Sequence, residues 1–414
     1  YRAMDSFYDH PRVQGLAEMM NFVGTVNGDP QVVEKIVASQ AHHKKIDGHA
    51  PGLSGNDLNA YIAAGVYSDH ECSDLNDALA KLERGQFIMI REGTAARNLE
   101  ALAPLLTPQY AERCMFCTDD KHPSDLLEKG HIDYIAREAI NKYGVDPIIA
   151  VKAACHHASR YFLLNNRGAI APGYLADFAV IDNFKDFNVE MVFKKGVLYW
   201  NNGELRDFEA PKIEEYLDKR AHDTFHVSTL TPDDFRDTRQ RGVLGMVPGE
   251  IITTDNGYAD HVDLEKDILK IAVVERHKGT HHIGLGYIQG YGLKSGAVAT
   301  SISHDSHNII VVGTNSADMA FAANYIVEHH GGIVVVENGT VKGSVVLEIA
   351  GIMSDRPLTE VNDQLEAAKD AAFTLGVSRG IDPFMTLSFM ALPVIPKLRI
   401  TTRGVVDVDT QQYV

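Results

Sequence analysis

Four residues of types that bind metal ions in proteins each follow closely on a short apolar run. Glu18 lies near the end of VQGLAEMM, His49 follows KKIDG, His70 follows AGVYSD and Asp119 follows RCMFCT. A mixture of imidazoles and carboxylates suits Zn²⁺, Fe²⁺ or Mn²⁺, and a bridging carboxylate holds two such ions. A bound metal lowers the pKa of water, and a neighbouring carboxylate accepts the released proton. The four residues therefore indicate a hydrolytic metal centre.

Other polar residues end the same apolar runs and are candidates for catalysis or substrate binding. Glu71 directly follows the second histidine, and the pair Arg91–Glu92 ends QFIMIREG. We predict Asp119, Glu71 and Glu92 as catalytic residues, and Arg91, Glu92 and Asp120 as substrate-binding residues. Two alternatives stay open. The first is that Glu71 contacts a metal ligand without binding the metal itself. The second is that Arg91 and Glu92 form an internal ion pair.

A second polar cluster lies far downstream in SHDSHNIIVVG, where His304, Asp305 and His307 fall within four positions. Two histidines and an aspartate so close together favour a second site, which either binds a metal or covers the first. The alternative is a polar turn that leads into the buried strand IIVVG.

The segments between the first apolar runs have helical periodicity. Pro30 begins one such pattern, with apolar residues at Val32, Val33, Ile36 and Val37. A repeat of strand, functional residue and helix is typical of a parallel barrel, which carries its chemistry at the C-terminal ends of its strands. Only five such units are recognisable, whereas a (β/α)₈ barrel has eight. Either three units precede this sequence or the barrel interpretation is wrong, and the spacing of the runs favours the first.

The predicted fold is therefore α/β, with a partial (β/α)₈ TIM-like barrel that contains strands 4–8, part of a small β-sandwich and a C-terminal α/β domain. The predicted divisions are residues 1–164 for the barrel, 165–203 for the sandwich, 204–249 for a linker or irregular segment, and 250–414 for the last domain. In the last of these, Asn338–Gly339 predicts a tight hairpin.

Composition excludes several classes of protein. Of 414 residues, 39 are Lys or Arg and 56 are Asp or Glu, which gives a net charge of −17 and disfavours binding to nucleic acid or anionic membranes. No apolar run approaches the roughly 20 residues that span a bilayer. Four cysteines in so long a chain do not form a disulfide framework, so we expect a reduced, cytoplasmic protein.

Several long motifs resemble one known family when they are taken in order. GLAEMMNF, DGHAPGLSGNDLNAYIAAG, DHECS, MIREGTAARNL and CTDDKHP are similar to the barrel half of the adenine deaminase family, in the amidohydrolase superfamily of metal-dependent hydrolases. RGAIAPGYLADFAVID is similar to the return of that superfamily to its β-sandwich. SHDSHNIIVVG and MALPVIPKLRIT resemble the C-terminal domain of the same family.

The resemblance implies a role for each of the four metal-binding candidates. Glu18 matches the strand-4 carboxylate that bridges two metals, His49 the strand-5 ligand and His70 the strand-6 ligand. Asp119 matches the strand-8 aspartate, which binds metal and shuttles protons. A binuclear centre of Mn²⁺ or Fe²⁺, with Zn²⁺ as a third candidate, is then expected. It would deaminate adenine hydrolytically at C6 to hypoxanthine and ammonia, as a step of adenine catabolism and purine metabolism.

One feature of the superfamily does not occur in this sequence, namely the strand-1 His-x-His pair that supplies two further ligands. We expect that pair and the first three strands in a segment that precedes Tyr1, and that segment or its fragment as a partner. We also expect a homodimer. The rival functions are those of an amidohydrolase that acts on a cyclic amide or another purine, and of a non-catalytic subunit.

Overall fold

The computed structural model describes residues 2–94, 96–209, 211–237, 239–247 and 252–414. The chain separates into two compact units, residues 1–210 and 211–414, which are described in turn. The predicted boundary between residues 249 and 250 lies outside the described residues. Within them, no helix combines the length and the apolar character needed to cross a membrane.

Five parallel strands open the first unit. They are β1 (Gly15–Met19), β2 (Lys45–Gly48), β3 (Ser68–Asp69), β4 (Phe87–Arg91) and β5 (Cys114–Cys117). β1 pairs with β2, and β3, β4 and β5 pair in that order. The backbone N–H of Tyr67 donates to the carbonyl of Ile46 at 3.1 Å, so β3 follows β2. The strands thus follow one another in chain order, with their C-terminal ends on one side.

Helices precede, connect and follow these strands. They are α1 (Arg2–Asp5), α2 (Phe22–Val26), α3 (Pro30–Ala41), α4 (Gly55–Ala63), α5 (Leu75–Glu83), α6 (Leu99–Leu102), α7 (Pro123–Glu128), α8 (Ile132–Asn141), α9 (Pro147–Val151) and α10 (His157–Tyr161). Helix α3 begins at a proline, and the Asp29 side chain caps it by accepting hydrogen bonds from Gln31 N and Val32 N.

The apolar face of the α5 helix contains one charged residue. Asp74 caps α5, and the helix buries Ala78, Lys81 and Leu82. In one cluster, the apolar members of that face pack with Ile88 of β4. Full burial of an aliphatic side chain contributes about 1.5–3 kcal/mol, so this cluster stabilises the strand order. Lys81 is charged and does not contribute in that way.

The first unit ends in a four-stranded antiparallel sheet. Its strands are β6 (Phe178–Ile181), β7 (Val189–Lys194), β8 (Val197–Asn201) and β9 (Glu204–Leu205). A hairpin joins β7 to β8, and both Lys195 and Gly196 in its turn have positive φ.

The second unit is built on an eight-stranded sheet with the order β11-β10-β13-β12-β15-β14-β16-β17. Its elements are α11 (Glu215–His222), β10 (Arg241–Met246), β11 (Thr253–Ala259), β12 (Ile268–Val274), β13 (Ile283–Gln289), β14 (Ala297–Thr300), β15 (Ile309–Gly313), α12 (Ser316–Glu328), β16 (Gly332–Glu337), β17 (Thr340–Val346), α13 (Leu358–Thr374), α14 (Pro383–Phe389), β18 (Leu398–Thr401), β19 (Gly404–Asp407) and β20 (Gln412–Tyr413). β18, β19 and β20 form a separate antiparallel sheet.

Alternate residues of the large sheet face different helices. Ile271 and Val273 of β12 pack in one cluster with residues of α13 and α14, while Ala272 and Val274 pack in another with α12. Among the described strand pairs of this eight-stranded sheet, only β10 and β13 are parallel. The predicted C-terminal α/β domain is therefore a largely antiparallel sheet between helical layers.

The segment 204–249, predicted as a linker or irregular, is more ordered than expected. It contains α11, a short 3₁₀ turn at Pro232–Phe235 and strand β10, which pairs on both sides. The sequence RGVLGM of β10 has two glycines among its six residues and no alternation of apolar and polar side chains, so its strand signal is weak. Gly242 lies against Val405, because a Cβ there would be 3.0 Å from Val405 Cγ1, and this packing explains the glycine.

Candidate metal centre

The four predicted metal-binding residues lie at the C-terminal ends of neighbouring strands. Glu18 is in β1, His49 follows β2, His70 follows β3 and Asp119 lies two residues beyond β5. Nε2 of His70 is 3.0 Å from Glu18 Oε2 and 3.7 Å from Asp119 Oδ2. Nδ1 of His49 is 3.4 Å from Glu18 Oε1. The structure thus brings these side chains into one cluster, which we call the centre.

Glu71 lies in the middle of the centre. Its Oε1 is 3.7 Å from His49 Nδ1 and 3.3 Å from His70 Nε2, and 10% of its side chain is exposed. Among the described residues, two sets of three have donor atoms within 4.8 Å of one another. They are Glu18, His49 and His70, and His70, Glu71 and Asp119. Glu71 therefore belongs with the metal-binding candidates and does not only support one of them from behind.

Arg91 closes the other side of the centre. Its Nη1 donates to Glu71 Oε1 and, at 2.7 Å, to Asp119 Oδ2, while Nη2 donates to Glu71 Oε2 at 3.1 Å. Nε donates to Asn98 Oδ1 at 3.4 Å. Arg91 does form an internal ion pair, but its partners are Glu71 and Asp119 rather than Glu92. With most of its N–H groups engaged and 9% of its side chain exposed, it has little capacity to bind substrate directly.

Glu92, predicted as a catalytic and substrate-binding residue, makes its described side-chain hydrogen bond to the backbone and not to a member of the centre. Its Oε2 accepts a hydrogen bond from Leu99 N at 3.2 Å. Burial raises the pKa of Glu92, and the nearby charges that act against this belong to Arg97, Lys121 and Lys142. In the described parts of the chain, no hydrogen bond or ion pair joins Glu92 to the centre. Successive residues of a strand point to opposite faces, so Arg91 and Glu92 cannot both face it.

Charges within the centre stabilise one another. Burial by itself raises the pKa of Glu18 and Glu71, but the imidazoles, and for Glu71 also Arg91, outweigh it and lower both values to about 2. Burial likewise lowers the pKa of His70, but Glu18 and Glu71 outweigh it and raise the value to about 10.

The donor set fits a divalent metal ion. Two buried atoms on neighbouring side chains lack a well-directed hydrogen bond among the described residues. They are Glu18 Oε2 and His49 Nδ1. Buried polar atoms without such a partner are costly, and a ligand that they share explains them. Two imidazoles and three carboxylates are also the ligand types preferred by zinc, iron and manganese. We conclude that the residues present fit such an ion.

Asp119 differs from the other members in its exposure and its backbone. Its side chain is 35% exposed, the highest fraction in the centre. Its φ is 54°, in the left-handed region that aspartate tolerates better than most residues. Asp120 N donates to Asp119 Oδ1 at 2.9 Å, and Thr94 N donates to the carbonyl of Asp120. The loop after β5 thus presents the Asp119 carboxylate to solvent in one orientation.

The second predicted site, His304, Asp305 and His307, lies in the second unit. His304 Nδ1 is 3.2 Å from Asp305 Oδ1, and the His304 ring stacks on Phe389 with centroids 4.7 Å apart. His307 N donates to the carbonyl of Ser303 at 2.6 Å. In the described parts of the chain, these residues are not among the groups whose donor atoms gather within 4.8 Å. These contacts are those of a polar turn.

Sequence reasoning overlooked three buried residues behind the centre, namely Tyr61, Asp69 and Lys81. Each is 0% exposed. A lysine on the apolar face of α5 and an aspartate directly before His70 were the available signals, because buried charges occur in pairs. Tyr61 gave no signal, since a buried tyrosine on a helix is common.

Comparison with known families assigns both units. The model of the amidohydrolase family matches residues 6–199, and that of the adenine deaminase C-terminal domain matches residues 250–412. Parallel strands in chain order, a metal-binding donor set at their C-terminal ends and the first of these matches define the first unit as an amidohydrolase.

Curated relatives extend over the chain. The adenine deaminase of Desulfatibacillum aliphaticivorans is 45% identical over 99% of this chain and 72% of its own length. That of Dehalococcoides mccartyi is 45% identical over 96% of this chain and 70% of its own length, and that of Kosmotoga olearia is 44% identical over 98% and 71%. The chain belongs to the adenine deaminase family.

Solved structures resemble the chain more distantly. The β-aspartyl dipeptidase of Fervidobacterium islandicum AW-1 has a TM-score of 0.35 and 17% identity, covering 45% of this chain and 55% of its own. The N-acetyl-D-glucosamine-6-phosphate deacetylase of Mycobacterium smegmatis has a TM-score of 0.35 and 18% identity, covering 41% and 51%. Similarity at this level does not bear on the chemistry.

Proposed function

We propose that this chain catalyses the hydrolytic deamination of adenine to hypoxanthine and ammonia, a step of adenine catabolism. The observation that carries the proposal is the 45% identity to an adenine deaminase over 99% of the chain, which includes all residues of the centre. The convergence of Glu18, His49, His70 and Asp119 at the strand ends supports it. The rival interpretation, an amidohydrolase of another substrate class, has no comparable support.

Glu18, His49, His70 and Asp119 are the proposed holders of a divalent metal, with Glu18 as the carboxylate able to bridge two ions. When bound, such an ion supplies Lewis acidity and lowers the pKa of water at the site. Mn²⁺ and Fe²⁺ are our first candidates and Zn²⁺ is the next, because the same ligand types serve all three.

Asp119 is the proposed proton carrier. Hydrolysis adds the oxygen of water to C6 of adenine and breaks the bond from C6 to the exocyclic nitrogen, which leaves as ammonia. A proton must therefore move from the attacking water to the departing amine. Asp119 combines the highest exposure in the centre with a fixed carboxylate orientation, so it is suited to accept that proton and donate it.

Arg91 is proposed to organise the centre rather than to contact adenine, and Glu71 to organise it while offering a further carboxylate donor for a metal. Arg91 holds the carboxylates of both Glu71 and Asp119, and Glu71 lies beside both imidazoles. Glu92, which bonds Leu99 N, is assigned to loop structure. Asp120 keeps its predicted role at the substrate, because it follows Asp119 in the same loop and its carboxylate can accept a hydrogen bond from a purine N–H.

We further propose that β1–β5 correspond to strands 4–8 of a (β/α)₈ barrel, with residues 1–164 as the barrel part and 165–203 as part of a β-sandwich. The parallel strands in chain order and the antiparallel sheet β6–β9 support this division. A cytoplasmic homodimer is the proposed working state. Four cysteines without a disulfide suit a reduced compartment, and twofold dimers are the commonest soluble assembly.

The test of function compares substrates at one enzyme concentration after Mn²⁺ loading. Adenine, guanine, cytosine and dihydroorotate are incubated with the protein, and ammonia and hypoxanthine are measured. Equal amounts of ammonia and hypoxanthine from adenine, and little product from the others, are expected. Turnover of another substrate in preference to adenine would favour the rival amidohydrolase.

Metal analysis addresses the remaining rival, a non-catalytic subunit. We expect at least one transition-metal ion per protomer in the purified protein, and its loss in a variant that combines His49→Ala with His70→Ala. A wild-type protein with less than one ion per protomer and no turnover of any of these substrates would favour the non-catalytic rival.

A further inference from the structure

We infer that three buried side chains, those of Tyr61, Asp69 and Lys81, position the centre by holding the backbone beside its members. We call these three residues the frame. The inference rests on the proposed metal site, but it does not depend on which substrate the enzyme uses. Members of the frame act through the backbone, so they are positioning residues and not catalytic ones.

Tyr61 joins two strand ends through one hydroxyl group. It lies on α4 and is 0% exposed. Its hydroxyl donates to the carbonyl of Met19 at 2.7 Å and accepts from the backbone N–H of His49 at 3.0 Å. Met19 directly follows Glu18, so this hydroxyl fixes the end of β1 against the end of β2. The distance between the backbones at Glu18 and His49 is thereby set by a group that touches neither side chain.

Asp69 and Lys81 join the second strand end to the third. Asp69 Oδ1 accepts from Glu71 N at 2.6 Å, and its Oδ2 accepts from Ala50 N at 3.2 Å. Lys81 Nζ donates to the carbonyl of Ala50 at 2.7 Å and lies 2.8 Å from Asp69 Oδ2. The pair therefore binds both backbone groups of Ala50, directly after His49, and also holds the loop after β3.

The energetics of buried charge favour a positioning role for this pair. Both Asp69 and Lys81 side chains are 0% exposed, and Asp77 lies 3.0 Å from Lys81 as a further partner. Desolvation of a buried ion pair roughly cancels its attraction, and apolar replacements of similar size are often neutral or stabilising. A contribution to stability therefore does not explain why the chain buries the pair Asp69–Lys81. Its hydrogen bonds to two strand ends are what an apolar pair could not reproduce.

Gly48 gives independent support, because β2 and β3 approach each other closely beside the frame. A Cβ on Gly48 would be 2.2 Å from the carbonyl oxygen of Ser68 and 3.1 Å from the Tyr61 hydroxyl. Residues 48 and 68 directly precede His49 and Asp69. The backbones of β2 and β3 are therefore in close contact beside the frame. A small shift between them moves His49 relative to His70.

The first experiment compares Tyr61→Phe with Tyr8→Phe. Tyr8 belongs to the same apolar cluster and its hydroxyl also has a short buried hydrogen bond, but that bond is to Ser39 Oγ at 2.6 Å and not to the backbone beside the centre. Affinity for Mn²⁺ is measured by competition with a chelating dye, and thermal unfolding of the metal-free proteins is measured in parallel. Outer groups that orient ligands typically change metal affinity by roughly 10- to 100-fold. We expect a loss of that size for Tyr61→Phe and less than about twofold for Tyr8→Phe.

The second experiment tests the charged pair with a double variant, Asp69→Asn with Lys81→Met, which removes both charges of the pair and leaves Asp77, 11% exposed, as the remaining charge. Asp77→Asn is its control, because it removes a partner of Lys81 and leaves the three backbone contacts of the pair. The double variant should keep near-normal thermal stability and lose Mn²⁺ affinity by about 10-fold or more, and the control should bind normally. Wild-type Mn²⁺ affinity in Tyr61→Phe or in the double variant would overturn the inference.

Failure of the frame can be separated from failure of the proposed function. If the wild-type protein binds Mn²⁺ but releases no ammonia from adenine, the function is rejected while the affinity comparison still decides the frame. If Mn²⁺ affinity is unchanged by Glu18→Gln, the ion is not held by the centre, and the inference about the frame is overturned as well.

Discussion

Arg91 donates a 2.7 Å hydrogen bond to Asp119, so the most exposed carboxylate of the centre is held by a nearly buried cation. The same guanidinium binds Glu71 through both of its Nη atoms. Strands β4 and β5 are neighbours, and this pairing places the last residue of β4 beside the loop after β5. Orientation of the proposed proton carrier thus depends on a residue from the adjacent strand.

Asp119→Asn should remove proton transfer while leaving the shape of the site. An amide neither accepts the proton from water nor donates one to the leaving amine, so kcat should fall by roughly 10²–10⁴-fold, the usual contribution of a general acid–base group. Steady-state assay with adenine measures this. Asp120→Asn is the matched comparison, since its proposed contact is to the substrate and its main effect should be on KM. A near-normal kcat for Asp119→Asn would assign the proton transfer elsewhere.

Arg91→Met should destabilise the first unit, because the buried Glu71 carboxylate then loses the guanidinium that binds both of its oxygens. Breaking a buried ion pair by removing one partner costs about 3–5 kcal/mol. Trp200, the single tryptophan of the chain, lies in β8 of the first unit, so its fluorescence follows urea unfolding of that unit. We expect the second change Glu71→Gln to recover part of the loss. If the double variant is no more stable than Arg91→Met, the loss of stability does not come from the Glu71 carboxylate that Arg91 no longer pairs.

Gly93→Ala should reduce turnover by shifting the Asp119 loop. A Cβ on Gly93 would be 2.4 Å from the carbonyl oxygen of Thr118 and 2.7 Å from that of Asp120, and these residues flank Asp119. A misplacement of about 1 Å costs roughly 10²-fold in rate, so kcat should fall by a similar factor. Gly380→Ala is the control, because the nearest atom to its Cβ is Ser378 Oγ at 3.7 Å. Equal activity of the two variants would contradict the close packing of this loop.

The positions of Glu18, His49, His70 and Asp119 could be predicted because each ends a short apolar run. Parallel strands place such ends on one side, so spacing along the chain carries spatial information. The partner of Arg91 could not be predicted in this way. Neighbouring residues of a strand point to opposite faces, and the face that meets the centre is decided by the adjacent strands. Arg91 therefore pairs with Glu71, twenty residues away, and not with Glu92.

The second unit shows the same division between local and distant information. The hairpin at Asn338–Gly339 is confirmed, with Glu337 paired to Thr340 across the turn, because an Asn-Gly turn is fixed by local backbone geometry. Strand β10 was missed, since its place in the sheet depends on β11 and β13, which are distant or little patterned. The frame was missed for a similar reason, because its hydrogen bonds join helices to the ends of other strands.

Asp237→Asn should weaken the second unit at neutral pH. The Asp237 side chain is 5% exposed and accepts hydrogen bonds from Arg239 and Arg241, the latter at 2.7 and 2.8 Å. Burial raises the pKa of Asp237, but the two arginines outweigh it, and the pKa lies well below its usual range. Loss of hydrogen bonds to a charged group should cost about 1.5–3 kcal/mol at pH 7. Hydrogen exchange of the peptide that contains β10 measures this change without unfolding the first unit.

The pH dependence of this effect has a defined sign. A carboxyl whose pKa is lowered by folding adds stability above its unfolded pKa, about 3.9, and loses it as the pH falls through the folded pKa. The Asp237→Asn variant should therefore exchange faster than wild type by the same factor at pH 7 and pH 5, after correction for intrinsic rates, and by a smaller factor at pH 3. Asp233→Asn is the control. Its pair with Arg236 is 77% and 70% exposed, so it should change exchange little at any of these pH values. A factor for Asp237→Asn that does not decrease at pH 3 would show that its charge is not the source of the stability.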